Sequence, residues 1–310
     1  MKELKGYRFR IYPDEIQRKF FIETFGCVRF TYNQLLMRRQ APGVRKTSTP
    51  AQLKQEYPFL KETDSLALAN AQRNLERAFR NYYNGRAGYP KLKSKKNSWQ
   101  SYTTNNQKGT VQLADNYLKL PKLKELVVVD QHREVKGEIK SATISAKHNQ
   151  EFYVSLLCLE EIPPLKKTGE AVKLTFSPNE LISMNQKLGL PDFCQKKLNQ
   201  KIFQAERKLA CRKKAARIKK VHLKDAKNYQ KQKRVVEQLH TTKANQTKDY
   251  LEQVSFLLVK NFDKIKVQSK YLSEEKENFA TTFQLKDWNQ FLTKLKYKTQ
   301  WYDKELIQRR

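Results

Sequence analysis

The stretch "KGYRFRIYPDEIQRKFF" (residues 5–21) changes its period in mid-run. Tyr7, Phe9 and Ile11 alternate with Arg8, Arg10 and Tyr12, which is the two-residue period of a strand with one apolar and one basic face. Pro13 ends the strand, and Asp14 can cap a helix directly after it. From Asp14 to Gln40 the apolar spacing is helical, with an interruption expected at Gly26. Period two returns between about residues 97 and 160, with strands predicted near 98–104, 110–113, 118–120, 125–129, 137–146 and 151–159. Joined to the first strand, these predict a small β-barrel interrupted by a helical insert.

Within the insert, residues 41–52 read as a loop. Residues 64–83, "DSLALANAQRNLERAFRNYY", form the clearest helix, capped by Asp64 or Ser65. Leu68, Ala71, Leu75, Phe79 and Tyr82 make its buried stripe, and Asn70, Arg73, Arg77 and Arg80 recur on the opposite face. "IPPLKKTGE" (162–170) reads as a linker. Beyond it come a strand at 171–176, a turn at Ser177–Pro178–Asn179 and a second short strand. Residues 190–260 are helical and basic, with a polar hinge expected at "HTTKANQT" (240–247). "FDKIKVQ" (262–268) reads as a buried strand, and a final helix is expected from Leu285 to the end.

The 310 residues leave room for two domains, and 63 Lys+Arg against 31 Asp+Glu give a net charge of +32. Such an excess points first to nucleic acid, because each phosphate contact releases counterions, and second to a membrane surface. No apolar run approaches the ~18 residues of a membrane span, and the N-terminus has no apolar signal core, so a cytoplasmic protein without membrane association is expected. Cys27, Cys158, Cys194 and Cys211 form no C-x-x-C pair, so no zinc site is expected. A basic run is ordinarily a solvated face. Against the whole-chain charge, "GYPKLKSKK" (88–96) and "ERKLACRKKAARIKK" (206–220) read as nucleic-acid contacts. Arg and Asn on the 64–83 helix can read base edges, while lysines position on phosphate. "SYTTNNQ" (101–107) offers hydroxyls and amides that suit bases, phosphates or an ordinary loop. The acids Glu170, Glu180, Asp263 and Asp287 are scattered, and no Ser/His/Asp set or phosphate-cradling glycine loop is present.

Residues 5–36, 60–96, 117–126, 137–163 and 292–306 resemble, in order, the TnpB family of transposon-encoded RNA-guided nucleases, relatives of the type V CRISPR effectors. The resemblance implies a multidomain α+β protein. A wedge-type β-barrel (1–12 plus 97–165) would be interrupted by a helical recognition lobe (13–96). A degenerate RuvC-like, RNase H-like α/β domain (166–310) lacking the zinc ribbon would complete the chain. It also implies that DNA beside the target is read by Ser65, Asn70, Arg73, Arg77, Thr104 and Asn105. Guide RNA would lie along Arg8 and Arg10, Lys91, Lys93, Lys95 and Lys96, and Arg207, Arg212, Lys213 and Arg217.

The family's first metal-binding acid falls on Leu174 and its second on Gln268, and the third is expected beyond residue 306, where the chain soon ends. The resemblance therefore narrows to nuclease-dead TnpB-like repressors (TldR). The expectation is a non-enzymatic, monomeric, bacterial nucleoid-associated protein that needs guide RNA but no metal. It would silence a promoter by occupying double-stranded target DNA as an R-loop. Three other readings stay open: a non-specific basic RNA-binding protein, a transposon remnant, and an active nuclease with relocated acids such as Glu180. No persuasive helix-turn-helix of a conventional repressor is visible.

Overall fold

The alternation around Phe9 builds the central strand of a sheet. β1 (Lys2–Tyr12) pairs antiparallel with β7 (Glu151–Glu161) along almost its whole length and with β5 (Val127–Asp130) at its far end. β2 (Trp99–Asn105), β3 (Gln112–Ala114), β4 (Tyr117–Lys119) and β6 (Glu138–Lys147) complete a seven-stranded sheet ordered β2-β6-β7-β1-β5-β4-β3. The computed structural model describes residues 2–40, 48–177, 180–185, 188–268 and 283–309. Among these residues the edge strands β2 and β3 do not pair, so the expected barrel is a curled half-barrel. β3 and β4 have three residues each and offer too few ladder bonds to close it. Gly137, at φ +78°, permits the turn into β6; a Cβ there would lie 2.2 Å from the Leu159 carbonyl oxygen.

α1 (Glu15–Gln40) starts where Asp14 caps it, with the Gln17 amide donating to Asp14 Oδ1 at 2.8 Å. It runs through Gly26 without the expected interruption. Its face of Phe21, Phe25, Val28, Tyr32 and Leu36 packs in one core with Tyr102, Phe152, Val154 and Phe9 from the inner side of the sheet. Residues 41–47 lie outside the described ones, but the rest of the expected loop contains a helix, α2 (Pro50–Glu56). Thr49 and Gln52 form a capping box there, with Pro50 just inside the helix, a signal present in the sequence. α3 (Ser65–Tyr83) buries Ala67, Leu68, Ala71, Leu75 and Phe79 in the same core. Tyr82, expected in that stripe, is 39% exposed because the core ends at Phe79.

The chain forms two compact units, Lys2–Glu161 and Ile162–Arg310. The helical insert and the half-barrel share one hydrophobic core within the first.

In the second unit, β8 (Ala171–Ser177) pairs antiparallel with β9 (Leu181–Met184) and parallel with β10 (Lys264–Gln268). Pro178 and Asn179 of the expected turn lie outside the described residues. α4 (Lys196–Ile218) and α5 (Lys227–Asn261) come after the hairpin. The expected hinge at 240–247 is continuous helix inside α5. Its hydroxyls fold back onto the helix, Thr241 donating to Glu237 O at 2.8 Å and Thr242 to Gln238 O at 3.0 Å. α6 (Leu285–Trp301) does not reach the end of the chain. A turn at Tyr302–Asp303 leads into β11 (Glu305–Arg309), which lies parallel to β10 and gives the order β11-β10-β8-β9. Lys298 of α6, 6% exposed, donates to the Glu252 carbonyl and to Ser255 Oγ on α5, both at 2.8 Å, and Lys294 pairs with the Glu252 carboxylate. Burial alone would raise the Glu252 pKa, but the two lysines outweigh it and hold the carboxyl down to about 2.

Candidate nucleic-acid interface

At the start of α3 the sequence-predicted DNA-reading residues converge through hydrogen bonds. Asp64 accepts the Leu66 and Ala67 amides at 3.3 and 3.2 Å, the N-cap arrangement, and also takes the Thr104 hydroxyl of β2. Asn70, one turn further, donates to Thr103 O at 2.9 Å and to Asn105 Oδ1 at 2.8 Å. These bonds lock α3 onto the end of β2 and fix the azimuth of its polar face. Ser65, Arg73 and Arg77 stay exposed on that helix, while Asn70 and Asn105 are partly buried. Thr104 is fully buried, its hydroxyl consumed by Asp64. It therefore positions the helix and has no atom free at the surface. Lys54 of α2 donates to Ser65 Oγ at 2.6 Å and adds a cation that the sequence reading missed.

The lysine loop is held by α1. Asn33 pairs with both backbone groups of Lys93, accepting its amide at 2.8 Å and donating to its carbonyl at 3.0 Å, as a neighbouring strand would. The Lys93 ammonium lies 4.3 Å from the Tyr32 ring centroid. Lys93 as a residue is exposed, but the desolvation of its ammonium first and the Arg77 charge second push its pKa below the ordinary lysine value. Lys91, Lys95 and Lys96 point to solvent from this anchored loop. Arg8 and Arg10 are exposed on the outer face of β1, over the ring of Tyr153 at 4.5 and 5.9 Å.

In the second unit, Arg207, Lys213 and Arg217 are exposed along α4. Arg212 is partly buried and donates to Asn228 O at 2.8 Å, which ties α4 to the start of α5.

Leu174 and Gln268 do lie close in the sheet. Leu174 faces Val267 of β10 in register, so Gln268 is one residue further along the adjacent strand. Leu174 is fully buried, in one apolar cluster with Val172, Ile265, Val267, Trp288 and Phe291. An aliphatic side chain and a neutral amide do not make a donor set for a divalent cation.

Residues 1–41 match a family model described as a helix-turn-helix domain, that of the IS605 OrfB proteins. Over those residues this chain has a strand followed by one helix. A Streptomyces pristinaespiralis protein with the provisional name RNA-guided DNA endonuclease is 27% identical, over 99% of this chain and 78% of its own length. InsQ of Escherichia coli (strain K12), provisionally named likewise, is 25% identical, over 91% of this chain and 70% of its own length. The fold is similar to that in a cryo-EM structure of a Cas12f1–sgRNA–target DNA complex, at a TM-score of 0.52 and 10% identity, covering 96% of this chain and 73% of the other. The expectation of a non-enzymatic chain is corrected by these relatives, since both carry the name of an enzyme. Leu174, Gln268 and a third acid expected beyond residue 306 were too narrow a basis for it. A match over residues 1–41, two relatives aligned along nearly the whole chain and a shared fold together support the resemblance to the TnpB-like family.

Proposed function

We propose that this protein binds a guide RNA and, under its direction, a double-stranded DNA target beside a short motif. The observation that carries the reading is the exposed Arg73–Arg77 face of α3, fixed in azimuth by the Asn70 bonds to β2, with Lys54 bonded to Ser65 at its start. A rigid helix with arginines outward suits base edges, and the neighbouring Lys54 suits phosphate. Ser65, Asn70, Arg73, Arg77 and Asn105 form the DNA surface, with Thr104 positioning it. Arg8, Arg10, Lys91, Lys93, Lys95, Lys96, Arg207, Lys213 and Arg217 face RNA, and Arg212 braces the α4 surface. The names of the relatives and of the structural neighbour agree with RNA-guided action on DNA. Base pairing supplies the sequence specificity and the protein reads the adjacent motif. Where the matched site overlaps a promoter, the bound complex stands in the path of polymerase and transcription falls.

Sequencing the RNA that co-purifies with the chain tests this directly. One discrete species with a variable 3′ segment is expected, and a DNA duplex matching that segment should bind in preference to a scrambled one. A random RNA pool, or equal specificity from RNA-free protein, would refute guidance.

A further inference from the structure

The inner face of the half-barrel is apolar and covered by α1 and α3, but the outer face of β2, β6, β7 and β1 has a different composition. The register aligns two rungs across all four strands. One is Arg10, Tyr153, Ser145 and Ser101; the other is Arg8, Ser155, Thr143 and Thr103. Five serine and threonine side chains thus form a floor, two of them, Thr103 and Thr143, already hydrogen-bonded to each other at 2.8 Å, bordered by Trp99 on β2 and Tyr12 on β1. Trp99 is 46% exposed and Tyr12 53% exposed, unusual for large aromatic rings on a sheet that already has a complete core. Arginines interleave with the rings. Arg8 lies 4.5 Å from the Tyr153 centroid and 5.5 Å from Trp99, and Arg10 lies 5.7 Å from Tyr12. Glu151 borders the two rungs and accepts the Tyr153 hydroxyl at 3.0 Å, and a second acid, Glu161, stands at the far end of β7 on the same face.

We infer that this face is a stacking platform for an unpaired stretch of RNA, in which bases stack on Trp99 and Tyr12 and phosphates meet Arg8 and Arg10. Exposed π-faces alternating with guanidinium groups are the chemistry that holds single-stranded nucleic acid with little regard to sequence. Four strands span roughly 14 Å, room for two or three bases laid across a sheet. The hydroxyl floor selects RNA, because Ser101, Thr103, Thr143, Ser145 and Ser155 can exchange hydrogen bonds with ribose 2′-hydroxyls, which DNA lacks. The platform rests on the guide-RNA reading and deepens it, since it names unpaired RNA and aromatic stacking where the sequence suggested only two arginines.

The test uses the full chain and a fluorescein-labelled ten-nucleotide oligouridine, with anisotropy read across a salt series. Trp99→Ala should weaken binding at least about fivefold, with the salt slope unchanged, since stacking carries no counterion release. Trp99→Phe should recover part of the loss. Oligothymidine of the same length should bind more weakly than oligouridine. A Trp99→Ala affinity within twofold of the parent overturns the platform, and equal binding of the two oligomers overturns its choice of RNA. Thermal melts of each variant separate a binding loss from unfolding. A random co-purifying RNA pool together with a full Trp99→Ala effect would refute guidance and leave the platform standing.

Discussion

Replacing Leu174 by aspartate asks directly what that position does in the fold. The side chain is fully buried, between Val267 and Met184 in register on the two neighbouring strands, and shares its cluster with Trp288 and Phe291. Losing a buried leucine costs about 2–5 kcal/mol, transfer and cavity together. Burying a carboxyl without a partner adds about 1–3 kcal/mol even when it is protonated. The sum, roughly 3–8 kcal/mol, is comparable with the whole stability of a typical domain, about 5–15 kcal/mol. Burial raises the folded-state pKa of the introduced acid above its unfolded value. The variant is therefore least impaired at about pH 4 and loses further stability as pH rises toward the folded pKa. Urea unfolding followed by tryptophan fluorescence at pH 4.5 and pH 8 reads both effects, because Trp288 sits in the same core. Leu174→Met, a volume-conserving control, should cost less than about 1.5 kcal/mol. If Leu174→Asp unfolds at the same urea concentration as Leu174→Met at both pH values, residue 174 is not in the core and its assignment fails.

The geometry sets three further outcomes. Glu252 has its carboxyl held near 2, below the ordinary 4.5, so the stabilisation is present above pH 4.5 and is lost as pH falls toward 2. With the side chain 39% exposed, screening reduces the effect to about 1–2 kcal/mol, and Glu252→Gln should flatten the acid limb of a stability–pH curve by that amount. Asp64→Ala should cost about 2–4 kcal/mol in chemical denaturation, combining a lost cap with an orphaned Thr104 hydroxyl, and adding Thr104→Val should recover part of it. Joint substitution of Lys91, Lys95 and Lys96 by alanine should lower the slope of log K against log salt for RNA by about 2.

Some of this was legible because it is local. Alternation around Phe9 marked β1 and sorted its faces, since side chains on a strand alternate whatever it pairs with. The α3 stripe from Leu68 to Phe79 was readable for the corresponding reason at helical spacing. The Thr49–Pro50–Gln52 signal of α2 was also present, within residues read as a loop. The hinge at 240–247 was misread because its polar composition suggests a turn, while the hydroxyl back-bonds that accommodate it within a helix leave no mark in composition. At the candidate site, residue types and approximate positions were visible, but the state of each side chain was not.

By itself the sequence determined a basic chain with a strand, a helical insert, further strands and a second α/β region, because charge and periodicity are properties of neighbouring residues. Only the tertiary structure decided that Thr104 is consumed by Asp64, that Asn33 anchors Lys93, that the half-barrel stays open and that residues 305–309 join a mixed sheet as a strand parallel to β10. It also gathered Trp99, Tyr153 and Tyr12 around two arginines. Each of these depends on a partner far away in the chain, and a contact between distant segments is set by how whole elements pack.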